Sequence, residues 1–332
     1  MHKGMLDLRD ATYHAIRHGV AWRVVDRDGV VVSGPGALDW LQGQVSQDIA
    51  SLGDTGAVAG GGLETLVLSP QGKIESYCRI CSLGPDRYLL DVRAGFGEAL
   101  LERLRRFKLR VKADLELLAN LRSLEIRGPE APVDCQPGEG EEAPLATLQV
   151  NWPGLNGIDL LFASVRPAID FATRCIGPHP AGDDGAFEAA RIEAGEPELG
   201  SELTERTIPQ EAGDLVVRAV SFTKGCYTGQ ELVARIDARG SNTPRRLHGV
   251  VIEGAVTGST SAGNGAPTAG DALAVGGDKI GELTSVAWSP GLESHVALAY
   301  VKRGIEPPAE ADVTGAGQVR RGRIRALPLF EG

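Results

Sequence analysis

Apolar and polar positions change rhythm several times along the chain, and the changes predict an α+β fold. Val30-Val31-Val32-Ser33 is a β-branched run with the character of a strand. Gly34-Pro35-Gly36 then turns into Ala37-Leu38-Asp39-Trp40-Leu41-Gln42, apolar at helical spacing with Pro near its start. Leu66 to Leu68, Ile74 to Leu83 and Tyr88 to Val92 predict a strand meander, and Gly97 to Phe107 an amphipathic helix. Leu117 to Ile126 fits a helix or a strand. Gly128 to Ala143, rich in Pro, Gly and acid, predicts a surface loop. Strand character returns at Ala146 to Trp152 and Gly157 to Ala163. Asp183 to Ala194 predicts a helix with Asp183 or Asp184 as its cap. The alternation lacks the regular strand–helix–strand beat of a doubly wound sheet, which favours α+β.

The rhythm shortens after residue 242. Leu247 to Ile252, Ala272 to Val275, Ile280 to Ala287, Val296 to Val301 and Gln318 to Ala326 are short β-rich pieces punctuated by glycines. Such spacing predicts a small all-β barrel over 243–332, with the glycine- and serine-rich run 258–270 as a loop within it.

Composition narrows the function. The chain of 332 residues is long enough for two or three domains. Lys plus Arg number 34 and Asp plus Glu 44, so the formal charge is −10. An acidic chain is a poor nonspecific partner for nucleic acid or anionic membrane, so direct nucleic-acid binding is disfavoured. Arg103 to Arg110 is the best local exception, and reads most simply as a solvated basic helix end. No apolar run reaches membrane-spanning length and the first twenty residues lack a secretory apolar core, so the expected location is cytoplasmic. Five cysteines, an odd number in a long chain, argue against a disulfide framework. Cys78 and Cys81 have CxxC spacing within a strand pattern, and no second pair completes a zinc set.

Chemistry concentrates in Lys224-Gly225-Cys226-Tyr227-Thr228-Gly229-Gln230-Glu231. A thiol stands between glycines, beside a cation, a ring, an amide and a carboxylate. Lys224 would favour the thiolate of Cys226, and the glycines would expose it. The bland alternative is a glycine-bounded turn around a small buried Cys. Other motifs accompany it: Arg191-Ile192-Glu193-Ala194-Gly195, Leu41 to Asp48, Glu231 to Ile236, Gly281 to Ser285 and Ser289-Pro290. The turns Gly34-Pro35-Gly36 and Gln71-Gly72-Lys73 match neither a dinucleotide-binding nor a P-loop motif.

In this order and combination the motifs resemble the YgfZ family of folate-binding proteins, relatives of the glycine cleavage T-protein, an aminomethyltransferase. The resemblance spans nearly the whole chain. It implies ferredoxin-like folate-binding units up to residue 242 and a C-terminal β-barrel, packed around a central folate cavity. It implies tetrahydrofolate or a derivative as cofactor, with Glu193 as the carboxylate for the pterin edge. Phe187 would be a stacking face, and Arg191, Tyr227, Gln230, Glu231 and Arg235 further cofactor contacts. A family Trp contact falls at Arg27 here. In the T-protein an acidic pair follows a GG turn; here Ser76 and Tyr77 stand in that place, and neither is a carboxylate base. The resemblance therefore implies folate binding without aminomethyl transfer, in support of iron–sulfur cluster assembly or repair, with Cys226 and Lys224 as the reactive groups and iron–sulfur proteins or their assembly machinery as partners. A lone Cys holds no stable cluster by itself. Two rivals stand beside this reading: a true folate-dependent one-carbon transferase, and a tRNA-modification factor.

Overall fold

The computed structural model describes residues 7–53, 62–132, 135, 137–177, 181–253 and 265–330. The run at 258–270 and the acidic loop 128–143 fall partly outside them. The fold is mixed α and β with a closed C-terminal barrel, as the chain's rhythm predicts.

The N-terminal region is built on one antiparallel sheet of seven strands: β1 (Ala21–Ser33), β2 (Leu63–Leu68), β3 (Ile74–Gly84), β4 (Arg87–Arg93), β5 (Asp114–Arg127), β6 (Ala146–Trp152) and β7 (Leu155–Phe162), in the order β2-β3-β4-β1-β5-β7-β6. The ambiguous segment around 117–126 is thus a strand, β5, paired with β1 and β7 on either side. The triple-Val run proves to be the end of a thirteen-residue strand with a bulge between Arg27 and Gly29. A Cβ at Gly29 would come within 2.7 Å of the Leu89 side-chain tip and 2.9 Å of that of Leu121, so both would have to shift.

One face of the sheet carries the main apolar core: Val30, Val32, Ile80, Leu90 and Val92, covered by α2 (Ala37–Gln42) and α3 (Gly97–Phe107). The other face is concave. Arg79 on β3 bonds Asp159 on β7, although β4, β1 and β5 lie between them in sheet order, so the sheet curls until its flanks meet. One end of the concavity is filled by Val31, Cys81, Leu89, Leu121, Leu148 and Leu161. The other end is polar.

Helix α1 (Leu8–His18) packs beside α5 (Asp184–Ala194), and α4 (Val165–Cys175) packs under β5 and β7. The cap of α5 is Asp183, whose carboxylate accepts from the Ala186 amide at 3.0 Å. The helix ends at Gly195 with φ +79°. Two short helices, α6 (Leu215–Ala219) and α7 (Gln230–Asp237), flank the cysteine-bearing motif.

The barrel closes as β10-β11-β8-β13-β12-β9 from β8 (Arg245–Ile252), β9 (Ala272–Val275), β10 (Asp278–Ser289), β11 (Ser294–Lys302), β12 (Ala309–Gly315) and β13 (Gln318–Arg325). Its centre is Val250, Ile252, Leu273, Ala297, Ala299, Val313 and Ile324. No helix among the described residues is long and apolar enough to cross a membrane.

One expectation is overturned. Cys135 and Cys175 form a disulfide, with Cα atoms 6.0 Å apart. The end of α4 meets the 128–143 loop in space, a proximity that a spacing of forty residues does not announce.

Candidate functional site

The motif residues fall into two groups joined by a polar bridge. The first group lies on α5, where Glu193 is fully buried. The Tyr13 hydroxyl lies 3.0 and 2.9 Å from its two carboxylate oxygens, and Arg17 and the Ser289 hydroxyl also donate to the carboxylate. A carboxylate has about four lone-pair sites. Three donor hydrogens meet those of Glu193, two from α1 and one from β10, with the single Tyr13 O–H shared between the two oxygens.

Arg191, one turn-half earlier, repeats the pattern. Its guanidinium bonds Glu188 at 2.6 Å, the Glu196 carbonyl at 2.6 Å, Glu202 at 3.2 Å and the Ser285 hydroxyl at 2.7 Å. Ser285 in turn donates to Glu202 at 2.6 Å. Arg191 and Glu193 therefore fasten α5 to two points of β10, which explains why the 281–285 and 289–290 segments accompany the Arg191–Gly195 motif. Phe187 is buried, with the Arg23 guanidinium 4.6 Å above its ring. The family expectation gave these three residues to a ligand. The structure engages all three inside the protein.

The second group is the 221–231 loop, docked on the 41–48 segment. Ser221 N donates to Ser46 O at 3.0 Å and Thr228 N to Gly43 O at 3.1 Å. Lys224 Nζ donates to the carbonyls of Val45 at 2.9 Å and Gln47 at 2.8 Å. Burial pulls its pKa down to about 8, against the opposing pull of Asp48. Lys224 is thus an anchor whose hydrogen bonds go to backbone, not to the thiol. Tyr227 is buried beneath it, its hydroxyl pushed up to about 12 by burial. Gly229, at φ +84°, sits against the 69–72 turn, where a Cβ would lie 2.5 Å from Ser69 O. Gln230 accepts from the Tyr227 amide at 3.4 Å, and Glu231 pairs with Arg235 along exposed α7. Cys226 is left exposed at the apex. The 41–48 and 224–231 motifs are one structural unit.

Removing the anchor should loosen this unit. Lys224→Met forfeits two hydrogen bonds from a charged donor, worth about 2–4 kcal/mol together after solvation. Faster hydrogen exchange at the Ser221 and Thr228 amides is the expected signature, and unchanged exchange would return Lys224 to a solvated cation.

The bridge between the groups carries residues that sequence reasoning missed. Gln47 Nε2 donates to Arg218 O at 2.6 Å. The Arg218 guanidinium bonds Glu64 and, at 2.6 Å, Glu196. The Tyr77 hydroxyl lies 3.2 Å from the other Glu196 oxygen. Burial pushes Glu196 up to about 7, Arg218 pulls it back, and Glu64 and Asp214 raise it further. Beyond Tyr77 the concave face continues through Arg79, Asp91 and Arg27, with Arg27 donating to the two oxygens of Asp91 through Nε and Nη2, each at 2.8 Å. Alternation on β3 holds the clue: Glu75, Tyr77 and Arg79 are half-buried while Ile74, Ser76 and Cys78 are buried. So Tyr77 faces the concavity and Ser76 faces the core, where its hydroxyl has no partner among the described residues. Glu75 shares the Tyr77 face, but is held by Arg103.

Residues 245–331 match the Glycine cleavage T-protein C-terminal barrel domain. An aminomethyltransferase of Streptomyces avermitilis is 29% identical over 91% of this chain and 83% of its own. An iron-sulfur cluster assembly factor IBA57 homolog, mitochondrial, of Pyricularia oryzae is 29% identical over 68% of this chain and 55% of its own. A tRNA-modifying protein YgfZ of Pectobacterium atrosepticum is 28% identical over 63% of each chain. The crystal structure of glycine cleavage system aminomethyltransferase T from Bartonella henselae superposes with a TM-score of 0.76, at 19% identity, over 97% of this chain and 89% of that one. The fold is aminomethyltransferase-like.

A folate-type ligand is testable against this geometry. Its pterin edge carries adjacent N–H donors and needs acceptors with free lone pairs. Glu193 takes three donor hydrogens, from Tyr13, Arg17 and Ser289, and keeps about one acceptor site of four. The concave face offers more: Tyr77, Glu64 and Glu196 would supply the acceptors for such a group.

Proposed function

We infer that this chain is a folate-binding accessory protein that supports iron–sulfur cluster assembly or repair and performs no aminomethyl transfer of its own. The observation that carries the reading is the thiol of Cys226, exposed on a loop braced by Lys224, while Cys78 and Cys81 are buried. A braced, exposed thiol suits a transient bond to a partner's iron or sulfur. Names of relatives support it from both sides, an aminomethyltransferase and an iron-sulfur cluster assembly factor. The folate would lie on the concave face, held by Tyr77, Glu64, Glu196 and Arg218, with Arg191, Glu193 and Phe187 bracing the wall behind. The reading without transfer rests on strand β3, where Ser76 points into the core and Tyr77 is not a carboxylate.

Calorimetry with tetrahydrofolate tests the binding, and steady-state assay with an aminomethyl donor tests the chemistry. Saturable binding without turnover is expected. Sustained turnover would replace this reading with a transferase.

A further inference from the structure

The geometry points to Tyr77 and Glu196 as a proton-sharing pair that sets the hydrogen-bonding sense of the concave face, and so selects a planar ligand with an N–H donor edge. The pair deepens the folate reading, and rests on it for the ligand's identity but not for its own existence.

The pair is built from two distant elements. Tyr77 stands at mid-strand on β3, and Glu196 follows the left-handed Gly195 that ends α5. Glu196 is 5% exposed. Among the described residues the groups facing it are Arg218 from α6, Asp214 just before that helix, Glu64 from β2, Tyr77 from β3, and Arg191, which holds its backbone carbonyl. Arg79 is spent on Asp91 and Asp159. One guanidinium, Arg218, therefore serves Glu64 and Glu196 together, with Asp214 3.8 Å from its Nε. Three carboxylates around one cation hold a proton more readily than one carboxylate would.

The consequence lies in the direction of the Tyr77 bond. With Glu196 ionised, the Tyr77 hydroxyl donates to it, and the phenol oxygen offers the concavity a lone pair. With Glu196 protonated, the carboxyl proton is donated to the phenol oxygen, and the Tyr77 O–H turns outward as a donor. Glu64, bound among the described residues by Arg218, adds a second acceptor beside it. The ionised state thus presents two acceptors to a ligand with adjacent N–H groups, and the protonated state opposes one of them with a donor.

The sign of the pH effect follows. Burial raises the pKa of Glu196 to about 7, so the folded state retains a proton that the unfolded chain releases near its ordinary value. The stability this proton supplies is present at low pH and is lost as pH rises through about 7. Ligand affinity runs the other way and rises as Glu196 ionises.

Two measurements decide. Carboxyl-¹³C NMR of glutamate-labelled protein should show one carboxyl with a midpoint near 7, absent in Glu196→Gln and moved upward in Tyr77→Phe, which removes a donor to the ionised form. An ordinary midpoint, or one indifferent to Tyr77→Phe, overturns the pair. Binding of 5-formyltetrahydrofolate should tighten about tenfold from pH 5.5 to 8.5, the worth of one hydrogen bond set right. Tyr77→Phe should flatten that profile. A flat wild-type profile overturns the selection of the ligand. No binding at any pH overturns the folate reading, while the NMR midpoint still decides the pair. Tyr77→Phe keeps both measurements open should Glu196→Gln fail to fold.

Discussion

Glu193→Ala is expected to cost about 3–5 kcal/mol of stability, because it strands a buried charge. Arg17 is 6% exposed at its side chain, and Glu193 is its ion-pair partner. The Tyr13 and Ser289 hydroxyls lose their acceptor in the same change. The damage extends past α1, since α5 is also held to the C-terminal segment: the Leu329 amide donates to the Glu193 carbonyl at 2.7 Å, and Arg17 lies 4.5 Å over the Phe330 ring. Glu193→Gln should cost less than Ala, because one oxygen still accepts, yet its amide N–H groups face Arg17. The double variant Glu193→Ala with Arg17→Met should recover part of the loss, as removing both charges of a buried pair is milder than removing one. Urea denaturation midpoints measure all four proteins. A pterin-binding carboxylate would behave differently: stability would hold in every variant and folate affinity alone would fall. That outcome would support the family expectation for Glu193.

The contrast shows what the amino-acid sequence discloses and what it withholds. Local signals were legible. Asp183 followed by an alanine-rich stretch and Gly195 announces α5, and the caps are where those residues place them. The glycine-separated β pieces announce the barrel, with β12 missed because Ala309 to Gly315 is acidic and short. Helix α4 was missed for a related reason, since Val165 to Cys175 exposes Val165 and Ile169 and blurs its apolar stripe. Valence was not legible. A motif shows that Glu193 is a carboxylate after a helix turn, but its donors stand 180, 176 and 96 positions away. Glu196 lies three residues further on in the same stretch, and nothing local separates the two. Only the curl of the sheet, which brings Arg79 to Asp159, puts Tyr77 on a concave face, and only the fold brings Glu196 against it. The Cys135–Cys175 bond was hidden in the same way.

The largest functional effect is expected at Cys226. Cys135 and Cys175 are joined, and Cys78 and Cys81 are buried with pKa values pushed up to about 12 by burial. One thiol should therefore react with iodoacetamide in the native protein at neutral pH, and Cys226→Ser should abolish the reaction. Stability should change by no more than about 0.5 kcal/mol, since the side chain is exposed and makes none of the bonds that hold the 221–231 loop. Those bonds belong to Ser221, Lys224 and Thr228. Folate affinity should be equally unmoved, because the acceptors of the concave face belong to other elements. In cells, by contrast, the activity of cluster-dependent enzymes should fall to that of cells lacking the protein, because a hydroxyl is a poor replacement for a thiolate toward iron and sulfur. Lys224→Met provides the comparison: it should lower the same cellular activity partially, in step with loss of protection at Ser221 and Thr228. Full support by the Cys226→Ser protein would reduce the motif to a structural turn. Its glycines would then be explained by the tight seat of Gly229 against Ser69 and its lysine by the carbonyls of Val45 and Gln47, with no chemistry left to assign to the thiol.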